Sequence, residues 1–355
     1  MDTALLSFFN HYLSKKILRA VLKGCLLFGS WVFLLACNRR PHTVSFYYWR
    51  THFFLETSEK QALADNDARE LYTRYFDIDF SPADTAPMPV AIIRFDSLPA
   101  PVSIIPVIYI KNRVFEKIDA LAAITLANKV NLLINDINRS AQLVTSQVQF
   151  DCDWTETTRN NYFTFLQQYK IISKQTISAT IRLHQVKYRV RTGVPPVDYG
   201  SLMYYNMGTI GTGDENSIYD KSIAEKYNAY IESYPLALDI ALPIFAWGLQ
   251  LRDGKVIKLL NKMNFLHFDN DSNFTATAAG RYQVRNACFH GGYYFKQYDE
   301  IKSEHVPAED LNGIIKQVNK YSNHKIRNIV FYDMDKENII LYDKNVFRKM
   351  VDRID

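Results

Sequence analysis

The 355-residue chain has the composition of a globular protein, with 48% hydrophobic, 14% aromatic and 22% charged residues. That composition supports a large core and excludes disorder of the whole chain. The formal net charge is +5, and the first 36 residues contribute four basic side chains and one acidic one to it. Without them the charge falls to +2, so the basic balance is no evidence for nucleic acid, and we expect no nucleic-acid partner.

Residues 1–36 have the pattern of a signal peptide, in which basic residues precede an apolar run. The run Cys25–Ala36 is too short to span a bilayer comfortably but long enough for a signal-peptide core. It ends in Leu-Leu-Ala-Cys37, which resembles the lipobox of bacterial lipoproteins. The resemblance implies that Cys37 is lipidated and becomes the first residue of the mature chain. An uncleaved N-terminal anchor is the alternative, and either one tethers the rest of the chain to a membrane, in the cell envelope facing the periplasm.

After a tether at residues 37–43, strand-like and helix-like patterns alternate along the chain. Strand candidates begin at Val44, Leu71, Ile105, Thr145, Ile177, Ser201, Ala237 and Ile326. Helical spacing follows most of them, at residues 57–71, 114–142, 155–172, 218–234, 309–321 and 344–354. The proline-rich stretch 82–106 reads as an insertion after strand two. Residues 255–300, which are mixed and aromatic-rich, read as a second insertion between strands seven and eight.

Strands that alternate with helices predict an α/β protein with a parallel sheet. Eight such units in residues 44–355 predict a (β/α)8 TIM barrel. The competing architecture is an open doubly wound sheet. No glycine-rich phosphate fingerprint follows the first strand, which disfavours a nucleotide-binding form of that sheet.

The stretch Leu143–Glu156 (LVTSQVQFDCDWTE) combines a predicted strand with three carboxylates. Side chains alternate between the two faces of a strand, so Asp151 and Asp153 should point one way and Cys152 the other. Like charges held close raise at least one carboxyl pKa, and this prepares a group for acid–base chemistry. The alternative is that Asp153 caps the following helix and Asp151 is a solvated strand end.

The working residues of such barrels lie at the carboxyl ends of the strands, and here those ends are rich in polar and aromatic side chains. Aromatic faces beside carboxylates suit a sugar, which presents apolar C–H faces and a rim of hydroxyls. A neutralising role for Arg182 and a hydrogen-bonded interior position for His184 are the simpler alternatives. The predicted substrate-binding residues are Trp49, Asp77, Trp154, Arg182, His184, Asn206, Trp247 and Asp333.

Two short motifs carry a resemblance to a family. Asp151-Cys152-Asp153-Trp154 resembles the core of the strand-four signature D-x-x-D-x-D-x-E of glycoside hydrolase family 18, the chitinase-like barrels. Met203-Tyr204-Tyr205-Asn206 is similar to the strand-six motif M-x-Y-D/N of the same family. The resemblance implies hydrolysis of an N-acetylated glycan by Asp151, Asp153, Glu156 and Tyr205. Glu156 would protonate the leaving oxygen, while Asp153 and Tyr205 would position a substrate acetamido group that acts as the nucleophile.

This sequence departs from the signature at two positions. The acid of the signature falls on Thr155, one residue before Glu156, and its first aspartate falls on Val148. A displacement of one residue on a strand turns a side chain to the other face, unless a bulge or a helix start at Trp154 restores it. Three functions follow as hypotheses: a glycoside hydrolase, a non-catalytic carbohydrate-binding barrel, and an envelope scaffold whose polar strand ends only satisfy a structural network.

The sequence contains no signal for a metal or a cofactor. No His, Cys and Asp cluster has metal-ligand spacing, and no G-x-S-x-G elbow is present, so we expect neither group. Outside the N-terminal segment and Cys37, the cysteines are Cys152 and Cys288. They could pair in an oxidising compartment, but the position of Cys152 within a strand favours a buried free thiol.

Overall fold

The computed structural model describes residues 42–81, 86–96, 102–261, 263, 265–322 and 326–354. The predicted signal peptide and the lipidation of Cys37 lie outside these residues. Across the described ranges, no helix is both long enough and apolar enough to cross a membrane.

Eight parallel strands close into a barrel, which confirms the predicted (β/α)8 fold. They are β1 (Val44–Tyr48), β2 (Ala68–Asp79), β3 (Ser103–Ile110), β4 (Gln147–Asp151), β5 (Thr176–Arg182), β6 (Tyr199–Met203), β7 (Leu238–Pro243) and β8 (Ile326–Tyr332). Each strand pairs with its neighbours in chain order, and β1 pairs with both β2 and β8, which closes the sheet. All eight predicted strand positions correspond to these strands.

Helices cover the outside of the barrel. They span Thr57–Asp65, Arg113–Lys117, Ala120–Ser140, Arg159–Ser173, Leu183–Lys187, Arg189–Thr192, Lys221–Asn228, Ala308–Ser322, Lys336–Ile339 and Val346–Val351. The longest begins where the Asp119 carboxylate accepts a hydrogen bond from the Ala122 backbone N–H at 2.8 Å. Its buried residues Ala123, Val130 and Ile134 recur at helical spacing and form the face that packs against the barrel.

The strand β4 shows how alternation divides the barrel wall. Phe150 points outward, and its ring lies 5.0 Å from that of Phe165 and 4.7 Å from that of Tyr169, both on the helix Arg159–Ser173. Gln149 points inward, where its side-chain oxygen accepts a hydrogen bond from the Tyr47 hydroxyl at 2.7 Å. Asp151, two residues further along, therefore faces the barrel interior at the carboxyl end of the strand, on the face predicted for it.

A buried ion pair fills the amino end of the barrel. The guanidinium of Arg327 donates two hydrogen bonds to Asp239, at 2.8 and 2.7 Å, and lies 3.6 Å above the ring of Tyr199. The Tyr72 hydroxyl donates a further bond to Asp239 at 3.0 Å. These contacts leave the Asp239 carboxylate paired although it is fully buried, so we assign this end of the barrel to stability.

Two insertions interrupt the barrel, as predicted. After β2, the strand Met88–Val90 pairs antiparallel with β2, and Arg94–Phe95 pairs with His52–Phe53. After β7, a five-stranded antiparallel sheet forms with its own apolar core. We call this sheet the inserted sheet. Its strands are Trp247–Arg252, Lys255–Asn261, Phe274–Ala278, Arg281–Val284 and Glu300–Glu304. The same insertion also contains the two-stranded hairpin Cys288–His290 and Tyr293–Phe295.

The inserted sheet begins earlier in the chain than the sequence pattern indicates. The strand-like pattern that begins at Ala237 and runs on to Leu249 is two strands in the structure, because β7 ends at Pro243 and Trp247 opens the inserted sheet. The first two strands of the inserted sheet, Trp247–Arg252 and Lys255–Asn261, are joined by a two-residue turn. Its residues Asp253 and Gly254 both have positive φ, which matches the twist of an antiparallel hairpin. Trp247 therefore belongs to the insertion and not to the end of β7.

Candidate functional site

An aromatic floor lies at the carboxyl end of the barrel and is centred on Tyr332, the last residue of β8. The Tyr332 ring is stacked on Tyr205, with centroids 5.3 Å apart and planes at 18°. The rings of Tyr47, Trp49 and Phe245 lie 5.5, 5.6 and 5.8 Å from it. We call these five residues the aromatic floor. Trp49 and Tyr205 were predicted site residues, whereas Tyr332 and Phe245 were not.

Asp151 is a buried carboxylate at this end of the barrel. Its Oδ1 accepts a hydrogen bond from the Thr180 hydroxyl at 2.7 Å. Burial raises the pKa of Asp151 to about 6, with smaller contributions from the charges of Asp153 and Asp77. The hydrogen bond from Thr180 and the charge of Arg182 act in the opposite direction without cancelling the effect of burial. Asp151 is therefore a carboxyl group that is protonated in mildly acidic solution.

Asp153 and Arg182 form an ion pair at the rim. Arg182 donates from Nε to Oδ1 of Asp153 at 2.5 Å and from a terminal nitrogen to Oδ2 at 3.0 Å. The side chains remain 27% exposed for Arg182 and 47% exposed for Asp153. The two-point geometry fixes both groups, but their exposure keeps the pair accessible to a ligand. The neutralising role considered for Arg182 is thus present in the structure.

A cavity of about 180 Å³ opens beside the aromatic floor, between the ends of β5 and β6. Its lining includes Arg182, His184, Tyr205, Asn206 and Tyr227. The Tyr205 hydroxyl is buried and has no hydrogen-bond partner among the described residues. Burial raises the pKa of Tyr205 well above its ordinary value, so this phenol stays protonated and can donate a hydrogen bond.

His184 lines the cavity, and its surroundings favour the neutral form of the imidazole. Burial lowers the pKa of His184, and the charge of Arg182 lowers it further, whereas the charge of Asp153 raises it. Asn206, on the other side of the cavity, has a left-handed backbone with φ of 55°. Asparagine tolerates this conformation better than most residues, and here it turns the chain away from β6 at the cavity edge.

Asp77 belongs to the same end of the barrel but is already neutralised. Arg74, three residues earlier on β2, donates from Nε to Oδ1 of Asp77 at 2.7 Å and also pairs with its second oxygen. The Arg74 guanidinium lies 5.6 Å from the ring of Trp49, so the pair supports one side of the aromatic floor. Asp333 follows β8, is buried, and accepts a hydrogen bond from the Asn338 side chain at 2.7 Å.

Glu156 does not join Asp151, contrary to its predicted role as the acid. Its side chain is 53% exposed and pairs at 3.0 Å with Arg191 of the short helix Arg189–Thr192, in the helical layer. The position expected for the acid holds Thr155, whose hydroxyl lies 2.9 Å from that of Thr157 and 3.2 Å from that of Thr158. The strand ends at Asp151, and the hydrogen bond of Glu156 is to Arg191 and not to a residue of the aromatic floor or the cavity.

Trp154 is also outside the site, contrary to its predicted role in substrate binding. It is 1% exposed, and its ring packs against Tyr162 and Phe163 of the helix Arg159–Ser173. Its indole N–H donates to the Thr192 backbone oxygen at 2.9 Å. The tryptophan is a core residue between the barrel and its helices, because the strand-like alternation ends at Asp151.

Trp247 reaches the floor from the inserted sheet. Its ring lies 5.2 Å from Phe245, and its N–H donates to Oε2 of Glu304 at 2.8 Å. Glu304 is a buried carboxylate that the sequence does not reveal, because it lies far along the chain from its partners and from any motif. Over the described residues, no group of three or more His, Cys, Asp or Glu side chains is arranged to hold a metal ion, and Cys152 and Cys288 are both free thiols.

Neither a family model nor a curated protein matches this chain. Among solved structures, the spore cortex-lytic enzyme SleL of Bacillus cereus is similar over 90% of this chain and 75% of that one, at 15% identity with a TM-score of 0.54. A GH18 chitinase mutant from Cycas revoluta in complex with (GlcNAc)4 is similar over 87% of this chain and 98% of that one, at 10% identity with a TM-score of 0.51. At these identities the likeness shows a shared fold, the TIM barrel of the GH18 chitinases.

Proposed function

We propose that the carboxyl end of this barrel binds an N-acetylated glycan and does not cleave it. One observation carries the proposal. The place of the acid is taken by Thr155, and the neighbouring carboxylate of Glu156 is paired with Arg191 in the helical layer. A general acid must come within hydrogen-bond reach of the leaving oxygen, and the exposed Glu156 is not among the residues that line the cavity.

The site nevertheless has the composition of a sugar-binding surface. The aromatic floor offers ring faces to apolar C–H groups, and the rim offers the Asp153–Arg182 pair and Asn206 to hydroxyl and amide groups. The buried Tyr205 hydroxyl, without a partner among the described residues, is a donor that a ligand can satisfy. Leaving such a group unpaired costs about 1–3 kcal/mol, which a bound acetamido oxygen would recover.

The chemical class of the ligand is supported by the structures that share the fold. The similar Cycas revoluta chitinase was solved in complex with (GlcNAc)4, a tetramer of N-acetylglucosamine. Its identity to this chain is 10%, so this support extends to the class of ligand alone.

Titration of (GlcNAc)4 into the wild type and two matched variants tests the proposal. Tyr205→Phe and Tyr162→Phe each remove one buried tyrosine hydroxyl that has no partner among the described residues. Both should fold, because no hydrogen bond within the described residues is lost. The first should weaken binding by about tenfold, since a buried hydrogen bond to the ligand is worth about 1.4 kcal/mol, and the second should leave it unchanged.

Mass spectrometry of the same sugar after prolonged incubation supplies the second measurement. We expect intact (GlcNAc)4 at all times. Steady release of shorter oligomers by the wild type would refute the non-catalytic proposal. Absence of binding by the wild type to any N-acetylated glycan would refute it altogether and favour the scaffold hypothesis.

The second candidate function is hydrolysis with a different residue as the acid. The raised pKa of Asp151 favours it. Its pKa of about 6 lets it carry a proton in mildly acidic solution, as a general acid must. In that case the wild type would turn over N-acetylated glycans with a rate that falls as pH rises through 6. Asp151→Asn would abolish that turnover, whereas Glu156→Gln would leave it intact.

We further propose that Cys37 is lipidated and holds the barrel at a membrane in the cell envelope, facing the periplasm. The support is the sequence pattern alone, an apolar run that ends in Leu-Ala-Cys. Cys37→Ser should release the protein from the membrane fraction or leave an unprocessed precursor. Mass spectrometry that finds an unmodified, uncleaved N-terminus on the wild type would contradict this proposal.

A further inference from the structure

A buried ion pair lies on the inserted sheet, where it faces the barrel. Lys302 and Glu304 are two residues apart on the strand Glu300–Glu304, so their side chains share one face. The Lys302 Nζ lies 2.7 Å from Oε1 of Glu304, and the two side chains are only 6% and 1% exposed. A buried ion pair generally stabilises a fold no more than a well-packed apolar pair does, so stability alone does not account for it.

Glu304 connects two parts of the chain through its other oxygen. Oε2 accepts hydrogen bonds from the Trp247 indole at 2.8 Å, from the Ser217 backbone N–H at 3.1 Å and from the Ser217 hydroxyl. Burial alone would raise the pKa of Glu304, but the bonds from Lys302, Ser217 and Trp247 outweigh it and lower the pKa. Trp247 is directly opposite Glu304 in the antiparallel register, so the strand pairing itself brings the two together.

The same sheet also holds the segment 207–217, here called the β6 loop. Lys302 donates to the Glu215 backbone oxygen at 2.6 Å, and the Asn216 side chain donates to the His305 backbone oxygen at 2.8 Å. Arg281 donates to the backbone oxygens of residues 212 and 213 at 3.0 and 2.9 Å. The loop starts at Met207, which lines the cavity beside the aromatic floor.

The β6 loop needs such external contacts because of its own composition. It contains three glycines, at positions 208, 211 and 213, and no helix or strand. Glycine loses more conformational entropy on ordering than any other residue, so an unanchored loop of this kind would have to be ordered by the ligand. A loop that is fixed in advance spares the ligand that cost.

We infer that the Lys302–Glu304 pair is a positioning device that fixes Trp247 and the β6 loop as one wall of the glycan site. This inference rests on the proposed function and extends it to the inserted sheet. The wall adjoins the aromatic floor, because the ring of Trp247 lies 5.2 Å from that of Phe245. A wall at this place would meet sugar units next to those on the floor, so loss of the Lys302–Glu304 pair should weaken the binding of long glycans more than that of short ones.

A pair of double variants tests the inference. Lys302→Met/Glu304→Gln removes both charges together, so neither is left buried and unpaired. Arg252→Met/Asp299→Asn is the matched control, because it removes another ion pair of the inserted sheet, with an Nε to Oδ1 distance of 2.6 Å, that bonds neither Trp247 nor the β6 loop. Urea unfolding and circular dichroism establish that both variants fold.

Affinities for (GlcNAc)6 and (GlcNAc)2 are then measured by calorimetric titration. The Lys302→Met/Glu304→Gln variant should bind (GlcNAc)6 about tenfold more weakly and (GlcNAc)2 within about twofold of the wild type, the tenfold corresponding to about 1.4 kcal/mol. The control variant should match the wild type for both sugars. Hydrogen exchange should show faster exchange of the β6-loop amides in the first variant only.

The outcomes separate this inference from the proposed function. If the wild type binds both sugars and the first variant keeps its affinity for (GlcNAc)6, or loses affinity equally for both lengths, the inference is wrong and the proposed function stands. If the control variant loses as much affinity for (GlcNAc)6 as the first variant does, the cause is general destabilisation of the inserted sheet, and the inference is again wrong. If the wild type binds neither sugar, the proposed function is wrong and the inference falls with it.

Discussion

The pKa of Asp151 predicts an unusual result, in which removing a carboxylate stabilises the protein at neutral pH. The perturbation is Asp151→Asn, which keeps the size of the side chain and an oxygen that can accept the hydrogen bond from Thr180. Burial raises the pKa of Asp151 from its ordinary value of 3.8 to about 6 in the folded protein. The folded state therefore binds this proton more tightly than the unfolded state does.

The sign and size of the effect follow from proton linkage. Below pH 3.8 both states hold the proton and the contribution of Asp151 to stability is fully present. It is lost as pH rises to and through 6, because the unfolded state releases its proton above 3.8 while the buried carboxyl keeps its own until the pH reaches its pKa of about 6. A pKa difference of about 2 corresponds to about 3 kcal/mol, of which about 2.5 kcal/mol falls between pH 4 and pH 7.

Urea unfolding of the wild type and of Asp151→Asn at pH 4, 5, 6 and 7 measures this contribution as the difference between their free energies of unfolding. The free energy of unfolding of Asp151→Asn, minus that of the wild type, should rise by about 2.5 kcal/mol from pH 4 to pH 7. Other titrating groups are common to both proteins and cancel. Asp136→Asn is the matched control, because it removes an exposed ion pair with Arg139 that is worth about 0–1 kcal/mol, and neither charge is among those that shift the pKa of Asp151. A difference for Asp151→Asn that stays constant with pH would refute the argument.

Three further predictions concern the core, the amino end and the floor. Phe150→Ala should cost about 3–5 kcal/mol of stability in urea unfolding, because it opens a cavity under the helix Arg159–Ser173. Arg327→Met should cost about 3–5 kcal/mol by leaving a buried carboxylate unpaired, and the double variant Arg327→Met/Asp239→Asn should recover most of that loss. Tyr332→Leu should weaken (GlcNAc)4 binding by at least about tenfold in titration while the variant stays folded, since it removes the ring that the floor is centred on.

The fold could be predicted from the sequence because its signals are local. Each barrel strand is a short apolar run, and each helix has its own periodicity, so the order of eight strands is visible without knowledge of their contacts. The orientation of β4 could be predicted for the same reason, since alternation places Gln149 and Asp151 inside and Phe150 outside. The barrel then brings the strand ends together as a consequence of its closure.

The errors begin where a local pattern stops. Alternation ends at Asp151, and the chain then turns into the helical layer, which takes Trp154 into the core and Glu156 to Arg191. Glu304 could not be found from the sequence, because its partners Trp247 and Ser217 lie 57 and 87 residues away and only the inserted sheet brings them together. Tyr332 could have been found, since it is the aromatic residue that ends a predicted strand.

Asp151 and Asp153 look equivalent in the sequence, and the structure gives them different physical states. Asp151 is buried and ionises only near pH 6, whereas Asp153 is held by Arg182 in an ion pair that is exposed at the rim. An exposed pair of this kind contributes about 0–1 kcal/mol, so a ligand can displace one partner at little cost. The rim thus offers both a cation and an acceptor to a polar glycan group, beside a carboxyl that is neutral below pH 6. With Thr155 at the position of the acid, the exposed rim pair supports the proposal that this end of the barrel recognises a glycan, whereas Asp151 is the group on which the alternative of hydrolysis depends.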